Sequence, residues 1–219
     1  MGILDVYKRQ EYGMRGTYNI LKAIVLPTFC DTLKCICENW KVAVPQIPII
    51  PIVYPQNRLL EAGAKYLKDE FERVKAELES ISGKEISDKA IEEAFDIYEE
   101  NRKVMREFTE VSVDYLNTIN AKVRHLIIKS GYFMDKKKHT EIVKNIIHEL
   151  KKCPKEDFKG IKAIATGLIA EPIGFLDLLV ENNIAFVGDD LAHESRQFRT
   201  LSRNDGNAID CLLYTSRCV

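Results

Sequence analysis

The hydrophobic period of this chain changes twice along its length, and that change constrains the fold more than any other feature. Residues 22–28 (KAIVLPT) form a short apolar run of strand length, the pattern of a strand buried on both faces. From Asp31 to Val44 the apolar positions Leu33, Ile36, Cys37, Trp40 and Val44 recur at helical spacing. A second apolar run, residues 47–53 (IPIIPIV), follows at once. Its prolines remove ladder donors, so it reads as an edge strand or an extended connector. Strand, helix and strand within about thirty residues make a βαβ unit with a right-handed crossover.

The middle of the chain is helical. Leu60, Ala64, Leu67, Phe71, Val74, Leu78 and Ile81 step by four and three along one apolar stripe, and Gly83 is a stop signal. Ser87 or Asp88 caps the next helix, with Ile91, Phe95, Tyr98, Met105, Phe108 and Val111 on its buried face. Shorter helices are predicted over 119–130 and 139–151. The strand pattern then returns in residues 161–169 (IKAIATGLI) and 184–187 (IAFV). Between them Phe175, Leu178 and Leu179 lie on a helix opened by Pro172. The expectation is an α/β protein: two parallel α/β lobes with a helical insert between them.

Of 219 residues, 46% are hydrophobic and 30% charged, enough for a packed core. A net charge of −1 argues against a dedicated nucleic-acid or membrane-surface protein. No apolar run reaches the roughly 18 residues of a bilayer span, and the N-terminus lacks a signal-peptide pattern, so a cytoplasmic location is expected. Both ends carry a foreign signature. Residues 5–10 (DVYKRQ) are what GATGTGTATAAGAGACAG encodes, the mosaic end of a sequencing transposon, and 211–216 (CLLYTS) are its reverse complement translated. Residues 1–10 and 211–219 are therefore read as adapter translation around an internal fragment. The predicted layout is 11–56 as the C-terminal part of a first lobe, 57–158 as the helical segment, and 159–210 as the start of a second lobe. With Cys211 and Cys218 set aside, Cys30, Cys35, Cys37 and Cys153 remain, which is no disulfide framework.

In open parallel sheets, ligands bind beyond the carboxyl ends of the strands. Three segments fall there. Cys30 closes the first strand, where the positive end of a helix dipole favours the thiolate that metals bind; the alternative is a small buried residue. Cys35 and Cys37 on the same helix point about 200° apart and cannot share a metal with each other. Ala165-Thr166-Gly167 ends the third strand ahead of Glu171-Pro172, and is either a ligand-approach point or an ordinary turn. The densest segment is Gly188-Asp189-Asp190-Leu191-Ala192-His193-Glu194-Ser195-Arg196. Arg196 can clamp a carboxylate or phosphate and His193 can move protons. Equally, Asp189 can cap a helix while Glu194 and Arg196 form a solvated ion pair. Lys136, Lys137 and Lys138, with Lys151 and Lys152, read as solvated helix ends, contact with a coenzyme A phosphate being the other option. No P-loop, GxGxxG, HExxH or GxSxG pattern occurs.

Taken together, PTFCDTLKCICENWKVAVPQIPIIPIVYPQNR (27–58), KEISDKAIEEAFDIYEENR (84–102) and GDDLAHESRQFR (188–199) resemble the 2-hydroxyacyl-CoA dehydratases, the family of 2-hydroxyglutaryl-CoA dehydratase. The resemblance runs through 11–199, and its AHESR form is similar to the D-component, or beta subunit. It implies two Rossmann-like lobes, both truncated here, holding a 4Fe–4S cluster on three cysteines. It further implies a hydro-lyase that removes water from an (R)-2-hydroxyacyl-CoA through a ketyl radical, as in anaerobic amino-acid fermentation. One electron would come from an ATP-dependent activator protein with its own iron–sulfur cluster, and a second dehydratase subunit would complete a heterodimer. Cys30 is the position that carries over as cluster ligand; the other ligands are expected upstream of Glu11 and downstream of Asp210, leaving the fragment inactive by itself. His193, Glu194, Ser195 and Arg196 carry over as candidate catalytic or site-wall residues. The alternatives are a benzoyl-CoA-reductase-like or double-cubane reductase subunit and a cluster-free scaffold homologue.

Overall fold

The computed structural model describes residues 3–57 and 60–200, together with Ile209 and Leu212. Arg58, Asp210, Cys211 and Cys218, and with them most of the C-terminal stretch read as adapter translation, lie outside the described residues. The architecture is α/β, with short parallel strand pairs and seven helices among the described residues. Two compact units meet in sequence within the first turn of one long helix, between Ile91 and Glu92.

The first unit runs α1 (Ile3–Met14), β1 (Ile24–Pro27), α2 (Asp31–Ala43), β2 (Ile49–Ile52) and α3 (Glu61–Ser82). β1 and β2 pair in parallel, from Ile24 opposite Ile49 to Pro27 opposite Ile52. Within the proline-bearing run 47–53, Ile49–Ile52 is thus a paired strand; in a two-stranded ladder each strand has a free edge on which a missing proline N–H costs nothing. Trp40, Val44 and Ile47 form the core, with Tyr18, Ile24 and Ile49 against them. The Trp40 indole N–H donates to Ile47 O at 2.9 Å, so its one polar atom is satisfied. α1 approaches this indole closely at Gly13, where a Cβ would stand 2.8 Å from Trp40 and Val44 side-chain atoms. α3 is fastened to the end of β2 by its buried Glu70. That carboxylate accepts from Val53 N at 2.8 Å and from Arg73 Nε at 2.9 Å. Gly83 ends α3 in the left-handed region at φ 65°, where glycine carries no side-chain penalty.

The second unit contains α4 (Asp88–Ser112), α5 (Ala121–Ser130), α6 (Lys136–Lys152), β3 (Ile161–Gly167), α7 (Ile173–Glu181) and β4 (Ile184–Leu191), then a 3₁₀ turn over Ser195–Gln197. Ser87 and Asn120 behave as N-caps should: Ser87 Oγ accepts from Ala90 N, and Asn120 Oδ1 from Lys122 N and Val123 N. α6 starts three residues before the predicted 139, because Asp135 caps it and its first turn is the polar Lys136-Lys137-Lys138. One core gathers Val104, Met105, Phe108, Ile128, Val143 and Ile147; a second gathers Ala121, Leu176, Phe186 and Leu191 between the helices and the sheet. β3 and β4 are parallel, and the register slips between Ala163 (opposite Phe186) and Ile164 (opposite Gly188). β4 continues four residues past the apolar IAFV run, so Asp189 and Asp190 stand on the strand rather than in a loop. Among the described residues, no helix is long and apolar enough to cross a membrane.

Candidate functional site

In the first unit, Cys30 is the N-cap residue of α2, with extended backbone (φ −140°, ψ 160°) and no side-chain capping bond. It follows β1 directly, its thiol is free, and the residue is exposed. That is the strand-end placement expected from the sequence. Cys35 is exposed and Cys37 buried, as their angular separation on α2 requires, and burial pushes the Cys37 thiol up. Among the described residues there is no group of three or more His, Cys, Asp or Glu side chains able to hold a metal ion. The chemistry of Cys30 suits one thiolate corner of an iron–sulfur cluster, and the described residues do not complete the donor set.

In the second unit the carboxyl ends of β3 and β4 carry a buried polar network. Arg124 on α5 is its centre. Its guanidinium pairs with Asp189 and donates to Glu194 Oε2 at 2.5 Å, and all three side chains are 3% exposed or less. Asp189 Oδ1 also accepts from Leu191 N and Ser195 N, each at 3.0 Å, which folds the chain after β4 back on itself. Burial pushes the Asp189 carboxyl up, but Arg124 and the bonds from Leu191 and Ser195 outweigh it, and the group ends below the usual aspartate range. The other Glu194 oxygen, Oε1, lies 2.9 Å from His125 Nδ1. Glu194 therefore pairs with Arg124 and His125 and not with Arg196. Arg196 instead grips Asp190, through Nε to Oδ1 at 2.9 Å and Nη2 to Oδ2 at 2.5 Å, with Arg199 on the same carboxylate. The clamp foreseen for Arg196 is thus closed on its own chain.

His193 is exposed. Its backbone oxygen accepts from the Tyr132 hydroxyl at 2.9 Å, and the two rings lie 6.2 Å apart. Burial and the nearby Glu194 charge push the Tyr132 phenol up to about 12. Ser195 Oγ donates to Asp189 O at 2.8 Å. The structure therefore brings Glu194 and Ser195 into one network through Asp189 and Arg124, leaves Arg196 in a neighbouring ion cluster, and puts His193 at the rim. The residues that sequence reading missed are Arg124 and His125. Their signal is visible in retrospect: both lie in phase with Ala121 and Ile128 on the buried stripe of α5, an expensive position for charge unless it is paired. Next to them, His125, Lys129, Tyr132, Phe133, Glu171, His193 and Glu194 line a cavity of about 320 Å³.

Lys136 also departs from the solvated role read for it. Its ammonium donates to Gly131 O at 2.7 Å and stands 5.3 and 5.8 Å from the Tyr98 and Tyr132 ring centres, where burial lowers its proton affinity. The buried His139 is fully engaged: its Nε2 donates to Ile127 O at 3.1 Å and its Nδ1 accepts from Asn101 Nδ2 at 2.9 Å. Burial holds this imidazole below the ordinary histidine value. A group with a lowered folded-state value binds more protons when unfolded, so its stabilisation is present above the unfolded value and lost as pH falls. Acid is therefore expected to destabilise the protein in two stages. The first begins below about pH 6.5 through His139, and the second below about pH 4 through Asp189 and Glu70. Urea midpoints measured against pH check this, and His139→Gln should remove the first stage alone.

Comparison with known proteins identifies the family. The family profile described as 2-hydroxyglutaryl-CoA dehydratase, D-component, matches residues 6–217. The (R)-phenyllactyl-CoA dehydratase beta subunit of Clostridium sporogenes is 43% identical over 202 residues, covering 92% of this chain and 54% of that protein. Lactoyl-CoA dehydratase subunit beta of Anaerotignum propionicum is 46% identical over 189 residues, covering 86% and 50%. The (R)-2-hydroxyglutaryl-CoA dehydratase subunit beta of Acidaminococcus fermentans is 36% identical over 189 residues, with the same 86% and 50% coverage. The chain spans about half the length of these curated relatives. With the profile matched from residue 6 to residue 217 on an α/β chain, the chain belongs to the 2-hydroxyglutaryl-CoA dehydratase D-component family.

Proposed function

We propose that this chain is part of the beta subunit of a 2-hydroxyacyl-CoA dehydratase, a multi-subunit hydro-lyase, and that Cys30 is one ligand of its 4Fe–4S cluster. The observation that carries this reading is the 36–46% identity to three such beta subunits over most of the chain. The free, exposed thiol at the start of α2 supports it. The remaining ligands come, in this reading, from the portions of the relatives that the chain does not span.

The net reaction is loss of water from an (R)-2-hydroxyacyl-CoA to give the 2-enoyl-CoA. One electron from an ATP-dependent activator reduces the thioester to a ketyl radical anion, which expels the 2-hydroxyl as hydroxide. The β-proton is then lost and the electron returned, so no net oxidation or reduction occurs. The cluster supplies one-electron chemistry; the protein's share is ligation, shape and electrostatics. In that share, α2 presents the Cys30 sulfur at its N-terminal end. Arg124 holds Asp189 and Glu194, and so fixes the chain that leaves β4. Arg196 and Arg199 neutralise Asp190 beside it, giving His193, Glu194, Ser195 and Arg196 the role of a rigid site wall.

Enoyl-CoA formation by the complete enzyme, assembled from both subunits and the reduced activator, tests the proposal. Cys30→Ser in the complete beta subunit is expected to lower turnover by more than about tenfold, and unchanged turnover would refute the ligand role. Absence of dehydration of any 2-hydroxyacyl-CoA by the parent enzyme would refute the activity.

A further inference from the structure

The second unit holds another cavity, of about 260 Å³, walled by α4, the end of α5, the start of α6 and the turn after β4. Two cationic side chains, Arg102 and Lys136, stand in its wall, and no aspartate or glutamate does. Lys136 is the informative one. It is half-buried at the first position of α6, and one of its N–H groups goes to Gly131 O at 2.7 Å. An ammonium carries three donors, so two remain for other acceptors. Among the described residues this ammonium has no ion-pair partner.

The nearby acids are committed elsewhere. Asp135, next to Lys136 in the chain, caps α6 by accepting from Lys138 N at 3.1 Å. Glu99 is shared between Arg102 and Arg106, each at 3.4 Å. The Tyr98 and Tyr132 rings, 5.3 and 5.8 Å from the ammonium, attract the cation without cancelling its charge. Burial and the Arg102 charge together lower the proton affinity of Lys136, as they do for a cation that lacks a counter-ion.

The rest of the wall sets the character of that counter-ion. The Tyr98 hydroxyl is a second donor, with no protein partner among the described residues. Both ring nitrogens of His139 and the Asn101 amide N–H groups are spent inside the core. The floor is apolar, made by the buried Met105, Ile128 and Phe198. The volume lies below the roughly 300–1,000 Å³ of sites for drug-sized ligands, so the occupant is small. One unpaired ammonium beside one hydroxyl matches the charge and the two oxygens of a carboxylate. A bare inorganic anion would press desolvated oxygens against Met105 and Phe198, whereas an organic acid lays its carbon body there.

We infer that this cavity binds a small monocarboxylate, with its oxygens on the Lys136 ammonium and the Tyr98 hydroxyl and its carbon body on Met105, Ile128 and Phe198. The site lies wholly within the second unit and depends neither on Cys30 nor on a cluster.

Titration of the full chain with sodium hexanoate, against sodium chloride at equal ionic strength, tests the inference, with 1-hexanol and sodium phosphate as contrasts. Calorimetry and the carbon-13 resonance of the Lys136 ε-carbon are the readouts. Saturable binding of hexanoate is expected, and in its presence the Lys136 ammonium should lose its proton at higher pH. Hexanol should bind at least about tenfold more weakly, and Lys136→Met, which keeps the stem and removes the charge, should weaken hexanoate by a similar factor. No saturable binding of hexanoate, equal affinity for hexanol, equal affinity in Lys136→Met, or tighter binding of phosphate than of hexanoate would each overturn the site. If Lys136→Met does not fold, the parent decides alone: a Lys136 titration unmoved by bound hexanoate overturns the inference.

Discussion

Replacing Arg124 with methionine is expected to cost the second unit about 3–5 kcal/mol, the range for removing one partner of a buried ion pair. The cause is what the substitution leaves behind. Asp189 and Glu194 are almost wholly shielded from water, and without the guanidinium both lose their charge-assisted bonds together. Leu191 N and Ser195 N still bond to Asp189 Oδ1, which leaves that carboxylate with hydrogen bonds but no counter-charge. Arg124→Lys restores a charge without the two-pronged geometry, and should recover only part of the loss. Adding Glu194→Gln to Arg124→Met removes one stranded charge and should be less damaging than the single change predicts by addition. Urea unfolding followed by far-ultraviolet circular dichroism measures all three, and an unchanged midpoint in Arg124→Met would contradict the network's role.

Trp40→Ala is expected to be of similar size, about 3–5 kcal/mol, from the cavity left in a small core. Trp40 is 3% exposed and is packed with Val44 and Ile47 in the seam joining α2 to the β1–β2 pair. Its removal also takes the hydrogen bond from Ile47 O. Trp40→Phe keeps most of the volume and should cost clearly less, the difference reporting the indole N–H and the remaining gap. Since Trp40 is the sole tryptophan, circular dichroism rather than fluorescence must follow the transition. The functional consequence lies ten residues upstream, because the same helix begins at Cys30. A variant that loosens α2 should loosen the presentation of that thiol as well.

Much of the fold was legible because the two hydrophobic periods separate cleanly. The Leu67–Val74 stripe, the Gly83 stop and the strand-length runs of β1 and β3 all follow from spacing that packing then enforces. The proline-rich run 47–53 was ambiguous because ladder donors are lost at proline, and only its parallel partner β1 settles it as a strand. β4 outran its apolar segment because Asp189 and Asp190 are tolerated on a strand once Arg124, Arg196 and Arg199 supply their counter-charges. Those arginines come from a helix some sixty-five residues earlier and from the turn beyond the strand, a pairing that local pattern cannot express. The candidate site was legible at its loop and not at its floor. AHESR drew attention by its density of polar side chains, whereas Arg124 and His125 sit inside an otherwise ordinary amphipathic helix. Exposure was the other gap: His193, the residue of that loop best suited to proton transfer, lies at the surface, and the buried imidazole beside Glu194 is His125.

Iron and acid-labile sulfide content decide whether Cys30 holds the proposed iron–sulfur cluster. Both should be measured anaerobically on the complete subunit and on its Cys30→Ser variant. About four irons with matching sulfide are expected in the parent, as for a 4Fe–4S centre, and a sharp loss in the variant. Iron-free parent protein with an intact circular dichroism spectrum, or a variant that keeps its full iron content, would contradict it.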